Sequence, residues 1–290
     1  MHVTASTPLP TLRARPVLPA TLAATALGLS ALTAFAVAGW PGTLIDCTAQ
    51  LCYCEGRSPG LWRQPVNTWS NLAPLLAALA MAWHEERSPA PLPATLVVSF
   101  PVTLVAQGVG SMFFHASLVE WAGAVDAASM FAVAGLLLAV NLMRGGWLTE
   151  RDLLRGGLPF ITGGVALALF CASAVAPVVG GLFFAVLASE VWLHRRRAGL
   201  PAARFRAGLL VFMLGGTVWF GSAVDGMPLC EPSSPWQGHA LWHATSAVAV
   251  CLFWLNARHA ASPRAAPCAA APRLGMLAAG GWRDRGRRPL

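Results

Sequence analysis

The chain has 290 residues, 56% of them hydrophobic and 11% charged, with a formal net charge of +8. An ordinary soluble domain carries roughly 25% charged residues, so this composition excludes one and points to a protein that crosses a membrane several times. Every basic residue is an arginine, as in a GC-rich bacterial genome, and the arginines cluster between apolar runs, a pattern of membrane topology and not of a nucleic-acid surface.

A helix needs about 20 apolar residues to span the hydrocarbon core. Such runs predict eight helices, in chain order at 18–40, 67–83, 92–114, 121–143, 157–176, 177–194, 205–225 and 238–257. The first follows Arg13 and Arg15 and ends in small residues near Ala38 and Gly39, as a signal peptide would. It is longer than the about 7–15 residues of a cleaved apolar core and reads as an uncleaved extra helix. Only Pro177 divides the fifth run from the sixth, with no polar loop between them. With a cytoplasmic N-terminus, eight spans place Arg144, Arg151, Arg155, Arg195, Arg196, Arg197, Arg204, Arg206 and the Arg-rich tail after Arg258 on the inner side. Seven spans would put some of these clusters outside. The tail from Ala260, rich in Ala, Pro, Gly and Arg, has no helical pattern and is expected to be disordered.

In this topology Cys47, Cys52, Cys54 and Cys230 fall in outward loops, whereas Cys171 and Cys251 lie inside helices and Cys268 in the tail. Four outward thiols allow two disulfides in an oxidising compartment, or a second metal site.

Ionisable groups inside spanning helices are costly and mark sites or pathways. The stretch GSMFFHASLVEWAGAVDAASM places Ser111 and His115 one turn apart near the outer end of one helix, then turns around Val119 and Glu120 and places Asp126 early in the next. The last run opens with HALWH, whose His239 and His243 stack at i and i+4 on one face at the same end. Alone, such a pair could be two histidines hydrogen-bonded at the headgroup boundary, and a lone Ser111 a small packing residue. Depth-matching of all five favours a shared site: three imidazoles with a fourth tetrahedral position left for water suit a catalytic zinc, or iron or another divalent ion. Glu190 lies one turn from the inner arginines and is expected to snorkel toward them. Trp121, Trp236 and Trp242 flank the site.

Ser111-x-x-x-His115, Asp126 eleven residues on, and the terminal His239-x-x-x-His243 resemble the alkaline ceramidase family and its wider superfamily of intramembrane hydrolases, which includes the adiponectin-receptor-like proteins. The segment QPVNTWSN, Gln64 to Asn71, is similar to that family's Asn-Thr-x-Ser-Asn element, and CYCEG to its Cys-Glu element. The resemblance spans roughly 52–257. It implies a seven-helix hydrolase domain at 46–258, preceded by an extension with an extra transmembrane helix at 1–45 and followed by the tail at 259–290. It further implies Zn²⁺ on His115, His239 and His243, Asp126 and Ser111 as catalytic groups, and hydrolysis of an amide in a ceramide-like lipid drawn from the bilayer. Cys54, beside Glu55, is implied as the partner of Cys230, which leaves Cys47 for Cys52. The family's calcium cluster is not matched, since only Glu55 looks like a member and Arg57 and Gln64 stand where oxygen ligands would be expected.

Two other classes compete: a receptor or sensor on the same scaffold, using zinc to hold a conformation, and a transporter or channel, using the buried polar groups as an ion path. A transporter would show polar residues across the full depth, and here they gather at one end.

Overall fold

The computed structural model describes residues 16–45, 53–89, 92–196, 202–223 and 226–261. Arg13, Arg15, Cys47, Cys52, Cys268 and nearly all of the tail lie outside them, and with them the expected Cys47 to Cys52 pairing. The described residues form α1 (Val17–Ala38), α2 (Pro65–Ser70), α3 (Leu72–Arg87), α4 (Ala94–Ser117), α5 (Glu120–Gly145), α6 (Glu150–Phe170), α7 (Val175–Arg196), α8 (Ala203–Gly221) and α9 (Gly238–Ala261). Among the described residues, seven helices are long and apolar enough to cross a membrane, and the only β-pairing is an isolated bridge between Leu44 and Val119. This is an all-α, multi-pass membrane fold.

The crossing expected at 67–83 is not one helix. It breaks at Asn71 into α2 and α3. Pro74, third in α3, has no N–H to return to the Ser70 carbonyl, and its ring crowds that carbonyl, so the helix cannot run straight through. The boundary expected at Pro177 also moves. α6 ends at Phe170, a 3₁₀ turn follows at Ala172–Ala174, and Pro177 sits in the first turn of α7, where a missing N–H costs nothing. Cys171 accordingly lies outside a helix, and it is exposed.

α4 and α5 are the most enclosed helices, joined by a turn in which Leu118 takes the left-handed conformation at φ 54°. The chain after α1 pairs with that turn, Ile45 N donating to Leu118 O (2.8 Å) and Glu120 N to Thr43 O (3.1 Å). α1 packs on α3 and α4, so the N-terminal extension belongs to the same bundle. α8 and α9 pack intimately. A Cβ on Gly215 would lie 1.9 Å from Thr245 Oγ1, and one on Gly238 would lie 1.8 Å from Ser222 Oγ, so these glycines set how closely α9 begins against α8.

At the end of the bundle remote from His115, a polar clasp joins three helices. Glu190 is buried at 3% exposure and does not snorkel. Its carboxylate pairs with Arg144 of α5 and accepts from Asn256 Nδ2 of α9 (2.6 Å). Asn141 Nδ2 donates to Val186 O (3.1 Å) and Ser189 Oγ (3.0 Å) of α7. Glu85 pairs with Arg258, tying α3 to the end of α9. A carboxylate withdrawn from water holds its place only when so paired. Glu190→Leu should therefore destabilise the fold by about 3 kcal/mol, the usual order for removing one partner of a buried pair, and Glu190→Gln by less. Thermal unfolding of the purified variants in one detergent checks this, with equal melting of Glu190→Leu and the parent as the contrary result.

Candidate metal centre

His115 closes α4 while His239 and His243 open α9, and the antiparallel run of these helices brings all three to one end. Their exposures are 0%, 6% and 3%, and one ring nitrogen of each lies within 4.8 Å of the others. The structure thus gathers the three histidines that the sequence singled out into a buried group able to hold a metal ion.

The surrounding hydrogen bonds decide which nitrogens face inward. His115 Nδ1 lies 2.7 Å from Gln64 Oε1. The amide of Gln64 cannot turn round, because its Nε2 already donates to Glu55 O (2.9 Å). Its oxygen therefore faces the imidazole, the proton sits on His115 Nδ1, and Nε2 keeps its lone pair. The same logic holds for His243. Ser70 Oγ donates to Asn67 O (2.8 Å) and so accepts from His243 Nδ1 (2.7 Å), leaving His243 Nε2 bare. His239 Nε2 stands 3.1 Å from His115 Nε2. Nitrogens bound tetrahedrally at about 2.0–2.1 Å stand about 3.3–3.4 Å apart, so this approach suits a shared cation. Without one, His239 Nε2–H donates to His115.

Asp126, at 8% exposure, enters from the second turn of α5 and is hydrogen-bonded to Ser111, which stands one turn from His115 on α4. Ser111 Oγ also lies 3.5 Å from His243 Nε2. All five residues singled out in the sequence therefore meet at one end of the bundle. The tryptophans divide. Trp242 stacks on Trp219 at 5.5 Å and Trp121 donates to Pro41 O, while Trp236 is 87% exposed.

The segment before α2 covers this group. Cys54 and Cys230 form a disulfide with their Cα atoms 5.5 Å apart, and Gly56 N donates to Pro232 O (3.0 Å). Glu55 lies outside the three-histidine group. Its two oxygens accept from Val66 N (2.8 Å) and Asn67 N (2.7 Å), capping the start of α2 from outside. Burial pushes the Glu55 carboxyl above the usual carboxylate range, partly offset by those two N–H groups. Burial, with a further contribution from the Asp126 charge, also pushes the Tyr53 phenol up.

Gln64, Ser70 and Tyr53 are the site residues that sequence reasoning did not assign. In the sequence Gln64 stands out only as a departure from a ligand pattern. The helix break at Asn71 and the turn into Pro65 aim Gln64 and Ser70 inward, and the nearby prolines mark the bends without showing which side chains they turn toward the histidines. Asn67 is wholly buried, with neither amide atom hydrogen-bonded by protein, one turn from Ser70.

Among known proteins, no family model matches the chain and no curated protein matches it.

His243→Ala should lose most bound metal, since three imidazoles become two. Gln64→Leu should weaken divalent-metal affinity about 10- to 100-fold, the usual cost of losing the partner of a ligating histidine; Gln64→Glu keeps an acceptor for His115 Nδ1 but sets its other oxygen against Glu55 O, so its affinity should fall between those of the parent and Gln64→Leu. Chelator competition on the purified variants measures both, and a Gln64→Leu protein with parental affinity would remove Gln64 from this role.

Proposed function

We propose that the chain is an intramembrane zinc-dependent amidohydrolase that cleaves a ceramide-like lipid to a fatty acid and an amine, as its resemblance to the alkaline ceramidases implies. The observation that supports this best is the meeting of three buried histidines with the Ser111–Asp126 pair at one end of an apolar bundle. All-nitrogen donors in neutral form suit zinc, and three ligands leave it an open position.

When bound, the cation supplies Lewis acidity toward a carbonyl oxygen and makes water a better nucleophile near neutral pH. His115, His239 and His243 hold it. Asp126 takes the proton of the attacking water and returns it to the leaving amine. Ser111 donates to the Asp126 carboxylate at rest. Once Asp126 is protonated it no longer needs that hydrogen bond, and the Ser111 O–H is free to turn to the oxygen on which negative charge develops. The apolar helices on either side fit a substrate that arrives laterally from the bilayer.

The same reading places the chain in a bacterial inner membrane. The arginine-rich end, with Arg144, Arg195, Arg196 and Arg258, would face the cytoplasm together with both termini, and the histidines the outer side. A disulfide near the histidines accords with an oxidising exterior.

Purified protein given lipid amides should release fatty acid, lose that activity to a chelator, and regain it with zinc. Stoichiometric zinc without turnover on any lipid amide would leave the zinc-stabilised receptor as the better reading. Asp126→Asn should keep its metal and lose hydrolysis by orders of magnitude, because an amide cannot carry the proton. Ser111→Ala should lose about 10²-fold in kcat. Full activity of Asp126→Asn would exclude Asp126 from the chemistry.

A further inference from the structure

The three histidines are not held alike. His115 is oriented by Gln64 and His243 by Ser70, each through a hydrogen bond at Nδ1. His239 Nδ1 is buried and has no hydrogen-bond partner. What His239 has instead is a face: the Tyr53 ring stacks on it with centroids 4.0 Å apart and planes 8° from parallel. Tyr53 also presents an edge contact to His115 at 5.6 Å and 62°.

Tyr53 is itself clamped. It adopts φ 48°, and Cys54 after it adopts φ 68°, left-handed conformations unfavourable for bulky residues that the neighbouring ties must hold. Those ties are the Cys54–Cys230 disulfide, the Gly56 to Pro232 hydrogen bond and the Glu55 cap on α2. Cys230 lies on the segment that leads directly into His239. The disulfide therefore joins the residue next to the stacking ring to the chain that carries the stacked imidazole.

We infer that Tyr53 is the positioning residue of His239, and that the Cys54–Cys230 disulfide acts on metal binding by holding Tyr53 against that ring. Stacking restricts the plane of the imidazole, a role that hydrogen bonds fill for the other two histidines. In that plane His239 Nε2 already points at His115 Nε2, 3.1 Å away. This rests on the metal-binding reading of the site and adds to it a residue that touches neither metal nor substrate.

The full chain, purified in detergent and titrated with cobalt(II) as the probe, tests it through affinity and the visible spectrum, which reports ligand geometry. The parent should bind one equivalent with the spectrum of a four-coordinate site. Tyr53→Phe, which keeps the ring, should match it. Tyr53→Leu should bind about 10-fold or more weakly, the order found for lost outer-shell support, with an altered spectrum. Cys54→Ser/Cys230→Ser, with Tyr53 intact, should shift in the same direction. Parental affinity and spectrum in Tyr53→Leu would overturn the inference while leaving the metal site standing. Should Tyr53→Leu fail to fold, parental behaviour of the double cysteine variant would overturn it instead. A parent chain that binds no cobalt would overturn the metal reading itself, and this inference with it.

Discussion

A neutral imidazole carries one proton on two nitrogens, so a histidine meant to bind a cation must be held with the correct nitrogen bare. His115, His239 and His243 form a buried group able to hold such a cation, and that demand bears on each of them. Two of the three protons are placed by short chains of hydrogen bonds that end on backbone carbonyls, Gln64 on Glu55 and Ser70 on Asn67. Backbone acceptors cannot rotate away, so the tautomers are set by the fold and not by a flexible surface group.

That requirement accounts for irregular features which would otherwise look like faults in a membrane helix. The break between α2 and α3 lets Ser70 face α9. The turn into Pro65 lets Gln64 reach α4, and there Gln64 N bonds to His115 O (3.0 Å), anchoring one segment on the other. Irregular backbone at such depth is tolerated only where protein covers it, and the disulfide-tied segment supplies that cover. The clasp around Glu190 serves the remote end, where it ties α5, α7 and α9 together.

Much of the bundle was legible in the sequence because length and hydropathy determine spanning helices almost alone. The runs at 18–40, 92–114, 121–143, 205–225 and 238–257 match α1, α4, α5, α8 and α9 to within a few residues. Ser111, His115, Asp126, His239 and His243 were legible for a related reason: a polar side chain in an apolar helix has few explanations. Gln64, Ser70 and Tyr53 stand in polar loop and turn contexts, where such residues are ordinary, and only tertiary structure gives them a role. The Glu190 clasp is not legible, because sequence shows a nearby arginine cluster, whereas packing delivers Arg144 and Asn256 from two other helices. The breaks at Asn71 and Cys171 show the limit of proline as a marker, since Pro74 acts three residues beyond its break and Pro177 is simply accommodated in the first turn of α7.

X-ray absorption at the metal edge of the zinc-loaded protein tests the central claim most directly. Coordination by His115, His239 and His243 requires three imidazole nitrogens and one further light atom at about 2.0–2.1 Å, with one metal per chain. Sulfur scattering at about 2.3 Å would mean that cysteines hold the metal, and failure to bind one equivalent would mean that the three imidazoles form only a hydrogen-bonded cluster.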